Sequence, residues 1–233
     1  MPNSPNAVGH VVICCRVPED ASEVETARWR AEASSRGVAV TWCVAPDDVE
    51  RWLEATGSGR TLAVCVGNAA SEAELGRDEI RDALRQRLVS AAVVEGDRPI
   101  DHRRLFVEGG VDVVATERLH PVDRQSRRPA PQGWDCRCVL WGLWETGYTA
   151  PRRRLFGLLD DSRPRAGRLT VIKTGCRPND RSDVGLSRLR QTLTQLQPSL
   201  RSHAVSGCLL ADLPARLQGG HTSEDRGSIL AAA

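Results

Sequence analysis

The sequence predicts an α/β fold, an irregular (β/α) barrel of seven to eight parallel strands. Three observations favour it. Short uninterrupted apolar runs alternate with amphipathic segments along the chain, which is typical of parallel strands covered on both faces. The length of 233 residues fits one such barrel. A hydrophobic content of 40% supplies a large core. An open doubly wound sheet is the alternative, although no GxGxxG motif follows the first apolar run.

The predicted strands are short runs rich in β-branched and other apolar residues. In chain order they are 10–17, 38–45, 61–67, 91–96, 111–117, 136–145, 168–175 and 204–207. The run 136–145, CRCVLWGLWE, is the most apolar of them. It contains Trp141 and Trp144 and ends on a carboxylate, Glu145. We therefore expect it to be a buried sixth strand.

Helix signals lie between most of these runs. Ser22 and Glu25 have the spacing of a capping box, and Gly37 is a suitable residue to end that helix. Pro46 and Asp47 open a second helix. Four further helices are predicted at 71–88, 101–108, 185–202 and 209–217.

Composition sets the class of protein. A formal net charge of +2 gives no overall attraction to nucleic acid or membranes. No run approaches the ~18 apolar residues of a membrane span, and no secretory leader pattern is evident. We expect one domain over 10–217, flanked by flexible tails at 1–9 and 218–233, in a cytoplasmic protein. The sequence does not predict an oligomeric state.

The eight cysteines lie mostly inside apolar runs, which is typical of buried thiols in a reducing compartment. No pair of CxxC motifs at zinc spacing is present. Cys136 and Cys138 would share one face of a strand, so a metal or redox pair there is the alternative to buried structural thiols.

The order of the elements resembles the polysaccharide deacetylase (NodB-homology) family over residues 10–217. The opening strand HVVICCRVPED and the segment GVAVTWCVAPDDVERWL are similar to that family's first and second strands with their following elements. Three later passages also match the family's order: DHRRLFVEGGVDVVAT, RLTVIKTG and HAVSGCLLADLPARL. The resemblance implies an irregular βα barrel and a carbohydrate ligand.

The metal-binding motifs of that family are missing at the matching positions. Cys14-Cys15-Arg16 stands where the family has an Asp-Asp pair. The segment 66–71 lacks the family's His-x-x-x-His motif, and Lys173 or Thr174 stands at its late histidine. A divalent metal needs converging oxygen or imidazole donors, and an arginine adds a repelling charge. The resemblance therefore implies a degenerate barrel, and we expect neither a metal nor a cofactor.

Polar residues end several predicted strands, where βα barrels collect their chemistry. They are Arg16, Asn68, Glu95, Glu117, Glu145 and Lys173. Glu95 and Glu145 are candidates for an acid/base pair, and Lys173 for a nucleophile or an anion anchor. Trp42 and Trp144 are candidates for stacking a sugar ring. The alternative for each is structural, because chains turn polar where they leave the core and strand tryptophans usually pack inside.

Three functional hypotheses follow. The leading one is a non-catalytic binding or accessory protein for a carbohydrate or other small polar ligand. The second is a metal-independent hydrolase for a carbohydrate-related substrate that uses Glu95, Glu145 and Lys173. The third is a structural or protein-interaction module.

Residues 118–168 contain eleven arginines and five acidic residues. We interpret them as solvated loops, with a rim for an anionic ligand as the alternative. Few aromatic residues interleave with these arginines, which disfavours nucleic acid as a partner.

Overall fold

One curled sheet of nine strands organises the chain, as seen in a computed structural model that describes residues 8–66, 89–95, 103–117, 134–139, 142–149, 164–177 and 180–218. The strands are β1 Gly9–Arg16, β2 Thr41–Val44, β3 Leu62–Val66, β4 Ala91–Val94, β5 Val113–Thr116, β6 Cys136–Cys138, β7 Trp144–Gly147, β8 Leu169–Gly175 and β9 Val205–Cys208. The described α-helices are α1 Glu23–Ser34, α2 Val49–Thr56, α3 Arg103–Glu108, α4 Ser182–Arg201 and α5 Leu213–Gln218.

The sheet is an open half-barrel rather than a closed barrel. Its strand order is β6-β7-β5-β4-β3-β2-β1-β8, and β9 pairs with β1. Every pairing is parallel except that of β6 with β7. Within the described ranges the two end strands, β6 and β8, do not pair. The prediction of an α/β fold with mostly parallel strands is confirmed, and the expected closure is not.

Strand β1 pairs with three other strands. Strand β8 pairs with it from His10 to Arg16 along one edge. The other edge is shared, because β9 pairs with its first half and β2 with residues Cys14–Arg16. This position explains why Val11, Val12 and the following apolar residues of β1 are almost wholly buried.

The prediction of one strand over 136–145 is wrong. The run contains two antiparallel strands, β6 and β7, in which Cys138 faces Trp144. Gly142 in the connection has φ 87°, a left-handed conformation that favours glycine. The Val139 amide donates to the Leu143 carbonyl at 2.7 Å. Glu145 is consequently the second residue of β7 and not the end of a longer strand.

The sheet buries two different faces. Its outer face packs against large side chains from the helices, among them Trp29, Trp52, Phe106 and Leu189. Its inner, concave face has smaller residues on the central strands, such as Ala63, Ala91 and Ala115. Successive residues of a strand point to opposite faces, so each strand contributes to both layers.

The C-terminal segment covers the amino ends of the strands on the inner face. Leu210, Leu213 and Leu217 belong to the inner cluster and are almost wholly buried. The Leu210 amide donates to the Thr41 hydroxyl at 2.9 Å, which fixes this segment to the start of β2. The inner face is therefore filled at its amino end by leucines and by Trp144.

Helices α1 and α4 pack side by side on the outer face. The capping box of Ser22 and Glu25 is present at the start of α1, as predicted. The Trp29 indole N–H donates to the Ser182 hydroxyl at 3.1 Å. A Cβ atom placed on Gly185 would lie 2.3 Å from the Cys176 Sγ and 2.9 Å from the Trp29 ring. Glycine at 185 thus permits close contact between these elements.

Some predictions fall outside the described residues. These are the helix at 71–88, Asn68, Trp141, most of the arginine-rich stretch, and most of both terminal tails. None of the described helices has the length and apolar character needed to cross a membrane.

We predict that Gly185→Ala destabilises the protein by about 1–3 kcal/mol, because the added methyl group overpacks the contact with Cys176 and Trp29. At an ordinary helix position the same change stabilises by about 0.5–1 kcal/mol. Urea denaturation followed by circular dichroism measures the difference. Ser187→Ala, at an exposed position of the same helix, is the matched control and should lie within about 0.5 kcal/mol of the parent. An increase in stability for Gly185→Ala would contradict the packing described here.

Candidate functional site

Four charged side chains meet at the carboxyl ends of the strands, and we call them the strand-end cluster: Arg16, Glu95, Glu117 and Lys173. The Arg16 guanidinium donates to the Glu95 carboxylate, and the Lys173 ammonium lies 3.4 Å from another Glu95 oxygen. Lys173 also donates to Glu117. Sequence analysis predicted all four as strand-end residues, and the structure brings them together.

The two-residue period of the strands places these side chains on the inner face. Arg16 follows Val12 and Cys14, and Lys173 follows Leu169 and Val171, which all belong to the inner cluster. Glu95 and Glu117 continue the same alternation beyond β4 and β5. Strand β8 is not a neighbour of β4 or β5 in the sheet, so side chains at its end can contact the ends of those two strands only across the concave side.

Gly175 brings β8 close to Arg16. It pairs with Arg16 in the register of β1 and β8 and has φ 91°. A Cβ atom there would lie 2.1 Å from the Arg16 carbonyl oxygen. The next residue, Cys176, donates its amide to that same oxygen at 2.9 Å. A side chain at position 175 would therefore separate two strands that supply the cations of the cluster.

Both cations of the cluster keep their charge at neutral pH. Burial acts to lower the pKa of Lys173, but its hydrogen bond to Glu117 and the nearby Glu95 charge outweigh burial and raise that pKa. Burial likewise opposes the charge of Arg16, and Glu95 again brings the net shift upward. Lys173 is thus an ammonium ion, which suits the role of a hydrogen-bond donor and not that of a nucleophile.

Tyr148, which sequence analysis missed, lies beneath the cluster. The Lys173 Nζ is 5.6 Å from the centre of its ring, within the range of a cation–π contact. Its hydroxyl is buried and has no hydrogen-bond partner among the residues that the structure describes. Burial and the nearby thiols Cys14, Cys43 and Cys65 raise the pKa of this phenol well above its usual range. The two-residue period of a strand could have revealed it. Tyr148 follows Trp144 and Thr146 at that spacing, so it lies on the same face of the sheet as Trp144.

We predict that Tyr148→Phe leaves the free energy of unfolding unchanged or raises it, because the removed hydroxyl has no hydrogen-bond partner to lose. The matched control is Thr41→Val, which removes a buried hydroxyl that accepts from the Leu210 amide. That change should cost about 1–3 kcal/mol. Thermal unfolding of the two variants measures both effects. A Tyr148→Phe loss as large as that of Thr41→Val would contradict the unpaired hydroxyl.

Glu145 does not join the cluster. It faces Val114 of the outer layer in the pairing of β5 with β7, and its carboxylate accepts from the Arg137 guanidinium at 2.8 Å. It is 2% exposed. Glu95 and Glu145 therefore lie on opposite faces of the sheet, and the expected acid/base pair is not formed.

The two tryptophan candidates are core residues. Trp42 is buried on the outer face, where its ring centre lies 5.5 Å from that of Trp52. Trp144 is buried on the inner face at the amino end of β7, away from the strand-end cluster. Neither presents an exposed ring to a ligand. Asn68, the remaining candidate, is among the residues that the structure does not describe.

We predict that Arg137→Met destabilises the protein by about 3–5 kcal/mol, because it removes the guanidinium that faces a buried carboxylate. Arg28→Met is the control, since it breaks the exposed pair with Asp183 and should cost less than about 1 kcal/mol. Chemical denaturation of each variant gives the two values. Equal and small losses would show that the Arg137–Glu145 pair is not a buried structural pair.

The described residues include no group of three or more His, Cys, Asp or Glu side chains that could hold a metal ion. Arg16, which the sequence analysis compared with the Asp pair of polysaccharide deacetylases, contacts Glu95. Of the two residues at the late histidine position, Lys173 joins the cluster. The Thr174 hydroxyl instead hydrogen bonds with that of Thr192 at 3.0 Å.

Comparisons with known proteins identify no relative. No protein-family model matches the chain, and no curated protein or solved structure matches it either. The resemblance to polysaccharide deacetylases therefore stays a prediction from the order of elements, and the function has to be argued from the site.

Proposed function

We propose that this chain is a non-catalytic binding protein for a small, hydroxyl-rich polar ligand of the carbohydrate class, held at the strand-end cluster. The observation that carries the proposal is the convergence of Arg16, Glu95, Glu117 and Lys173 from four different strand ends. Carboxyl ends of parallel strands are where βα folds place ligands. The proposal also includes a deacetylase-like origin without the metal centre.

The charges of the cluster favour an uncharged ligand. Its two cations and two carboxylates balance one another, so a strongly anionic or cationic molecule gains no net attraction. A sugar hydroxyl both donates and accepts hydrogen bonds, so it can contact carboxylates and cations in the same site. Hydrogen bonds to charged groups contribute about 1.5–3 kcal/mol each, which makes such a site effective without a net charge.

The members of the cluster have different roles in this proposal. The side chains of Lys173 and Glu117 are 34% and 39% exposed, so they can contact a ligand. Those of Arg16 and Glu95 are only 14% and 18% exposed. We therefore propose that Lys173 and Glu117 contact the ligand. Glu95 positions the Lys173 side chain. Arg16 fixes Glu95 in turn and also donates to Glu19 at 2.8 Å.

Binding is favoured over hydrolysis by two features. The acid/base pair of Glu95 and Glu145 is not formed, and Lys173 is protonated in the cluster. Turnover of any bound sugar would therefore contradict the non-catalytic role while leaving the location of the site intact.

We predict that Lys173→Met and Glu117→Gln each weaken binding of a neutral oligosaccharide about tenfold or more, the equivalent of about 1.4 kcal/mol. Saturation-transfer NMR with a panel of neutral, acidic and amino sugars identifies a ligand, and calorimetry measures its affinity. Arg60→Gln is the matched control, because it breaks an exposed ion pair with Asp212. Equal affinity in Lys173→Met and the parent protein would place the ligand elsewhere, and no binding by any sugar would overturn the ligand class.

A further inference from the structure

Thr149 bridges the gap between β7 and β8, which we call the seam. Its amide donates to the Val171 carbonyl at 2.8 Å, and its hydroxyl accepts from the Val171 amide at 3.0 Å. Val171 lies in β8, at one end of the sheet, whereas Thr149 lies two residues beyond β7, near the other end. One residue thus contacts both backbone groups of its partner across the seam, and we call this pair of hydrogen bonds the seam clamp.

The Thr149 hydroxyl takes the place of a strand neighbour. The His10 amide of β1 donates to the Arg168 carbonyl, three residues before Val171. Because successive residues of a strand direct their backbone groups to opposite edges, the amide and carbonyl of Val171 point away from β1. A parallel strand would bond to these two groups with two different residues. Here the amide and the side chain of one threonine bond to both, so a side-chain acceptor is needed at position 149.

The seam clamp connects the two residues that we assign to the ligand. On one side, Lys173 lies two residues beyond the clamp in β8. On the other side, the Tyr148 amide donates to the Thr116 carbonyl at 3.0 Å, and Glu117 is the next residue. A path of backbone contacts therefore runs from Glu117 to Lys173 through Thr149, alongside the hydrogen bond that Lys173 donates to Glu117.

A second bridge fixes the seam near the amino ends of the strands. The indole N–H of Trp134, two residues before β6, donates to the carbonyl of Gly167, two residues before β8, at 3.3 Å. The Trp134 ring also meets the His10 ring edge to face, with 5.2 Å between the ring centres. This bridge does not use Thr149. Loss of the seam clamp should therefore alter the strand-end cluster while the rest of the sheet stays in place.

We propose that Thr149 is a positioning residue of the strand-end site, which holds Lys173 against Glu117 through the seam clamp. The side chains of this ion pair are 34% and 39% exposed, and ion pairs that water can reach contribute little free energy of their own. Their separation is consequently set by the backbone to which they are attached. The effect on ligand affinity rests on the proposed function, whereas the effect on the ion pair does not.

The reactivity of Lys173 tests the clamp without any ligand, because Lys173 is the only lysine in the sequence. Thr149→Val keeps the shape of the side chain and removes the acceptor for the Val171 amide. In this full-length variant an N-hydroxysuccinimide ester should acylate Lys173 about threefold faster or more, as followed by mass spectrometry of the lysine peptide. The reason is that only the uncharged amine reacts, and the pKa of Lys173 falls when its ammonium ion loses Glu117.

Three variants complete the comparison. Glu117→Gln, which removes the charged partner directly, should also give faster acylation. Thr149→Ser keeps the hydroxyl and should react at the parental rate. Thr61→Val is the matched control, because it removes another half-buried threonine hydroxyl, which donates to the Ser58 carbonyl at 2.8 Å just before β3, and it should react as the parent does. If Thr149→Val does not fold, Thr149→Ala removes the same acceptor with less bulk.

Ligand affinity is the second readout. For a sugar that the parent protein binds, Thr149→Val should weaken binding about fivefold or more, and Thr149→Ser should not. A parental acylation rate in Thr149→Val, or equally fast acylation in Thr149→Ser, would overturn the clamp. Faster acylation with unchanged sugar affinity would overturn its role in the ligand site. If no sugar binds the parent protein, the proposed function fails, and the acylation rates alone decide whether Thr149 positions Lys173.

Discussion

The contact of one carboxylate with two cations connects the distant parts of this sheet. Glu95, at the end of β4, faces Arg16 from β1 and Lys173 from β8. In strand order β4 and β1 are separated by two strands, so these contacts form only if the sheet curls. Partly buried charges require partners, and here the partners lie across the concave face. The half-barrel and the strand-end cluster are thus consequences of each other.

Below the cluster, the inner face changes character in layers. Leucines from the C-terminal segment and Trp144 fill its amino end, and small residues and thiols occupy its middle. Tyr148 extends from the end of β7 toward thiols on β1, β2 and β3. The small side chains of the central strands leave room for that ring. An unpaired hydroxyl in this layer is costly, and such buried polar atoms in proteins generally have a structural or functional reason.

Much of the fold could be predicted from the sequence because local signals dominate it. The apolar runs on either side of the helices locate most of the strands, and the Ser22–Glu25 spacing locates the start of α1. Four of the six predicted strand-end residues lie together at the carboxyl ends of the strands. Their positions follow from the end of an apolar run, which is a local property.

The face of the sheet to which each strand side chain points was harder to predict. A strand buried on both faces is apolar at every position, so its sequence does not show which residues face inward. That ambiguity explains why Trp42 and Trp144 were expected to contact a ligand and instead pack in the core. Glu145 was misplaced for another reason, because Gly142 divides the apolar run into a hairpin. The glycine was the only local signal of that turn, and it was weaker than the apolar character around it.

The position of β1 has a consequence for how the chain folds. Among the described strands its three partners are β2, β8 and β9, so the first of these strands pairs with the last two. Residues 9–12 cannot find their β9 partners until residues 205–208 are available. Such contacts between distant parts of a sequence slow folding, since a long loop must close before the contact forms. During synthesis β1 therefore leaves the ribosome well before two of its neighbours, and the parts of its edges that pair with β8 and β9 stay unpaired for most of translation.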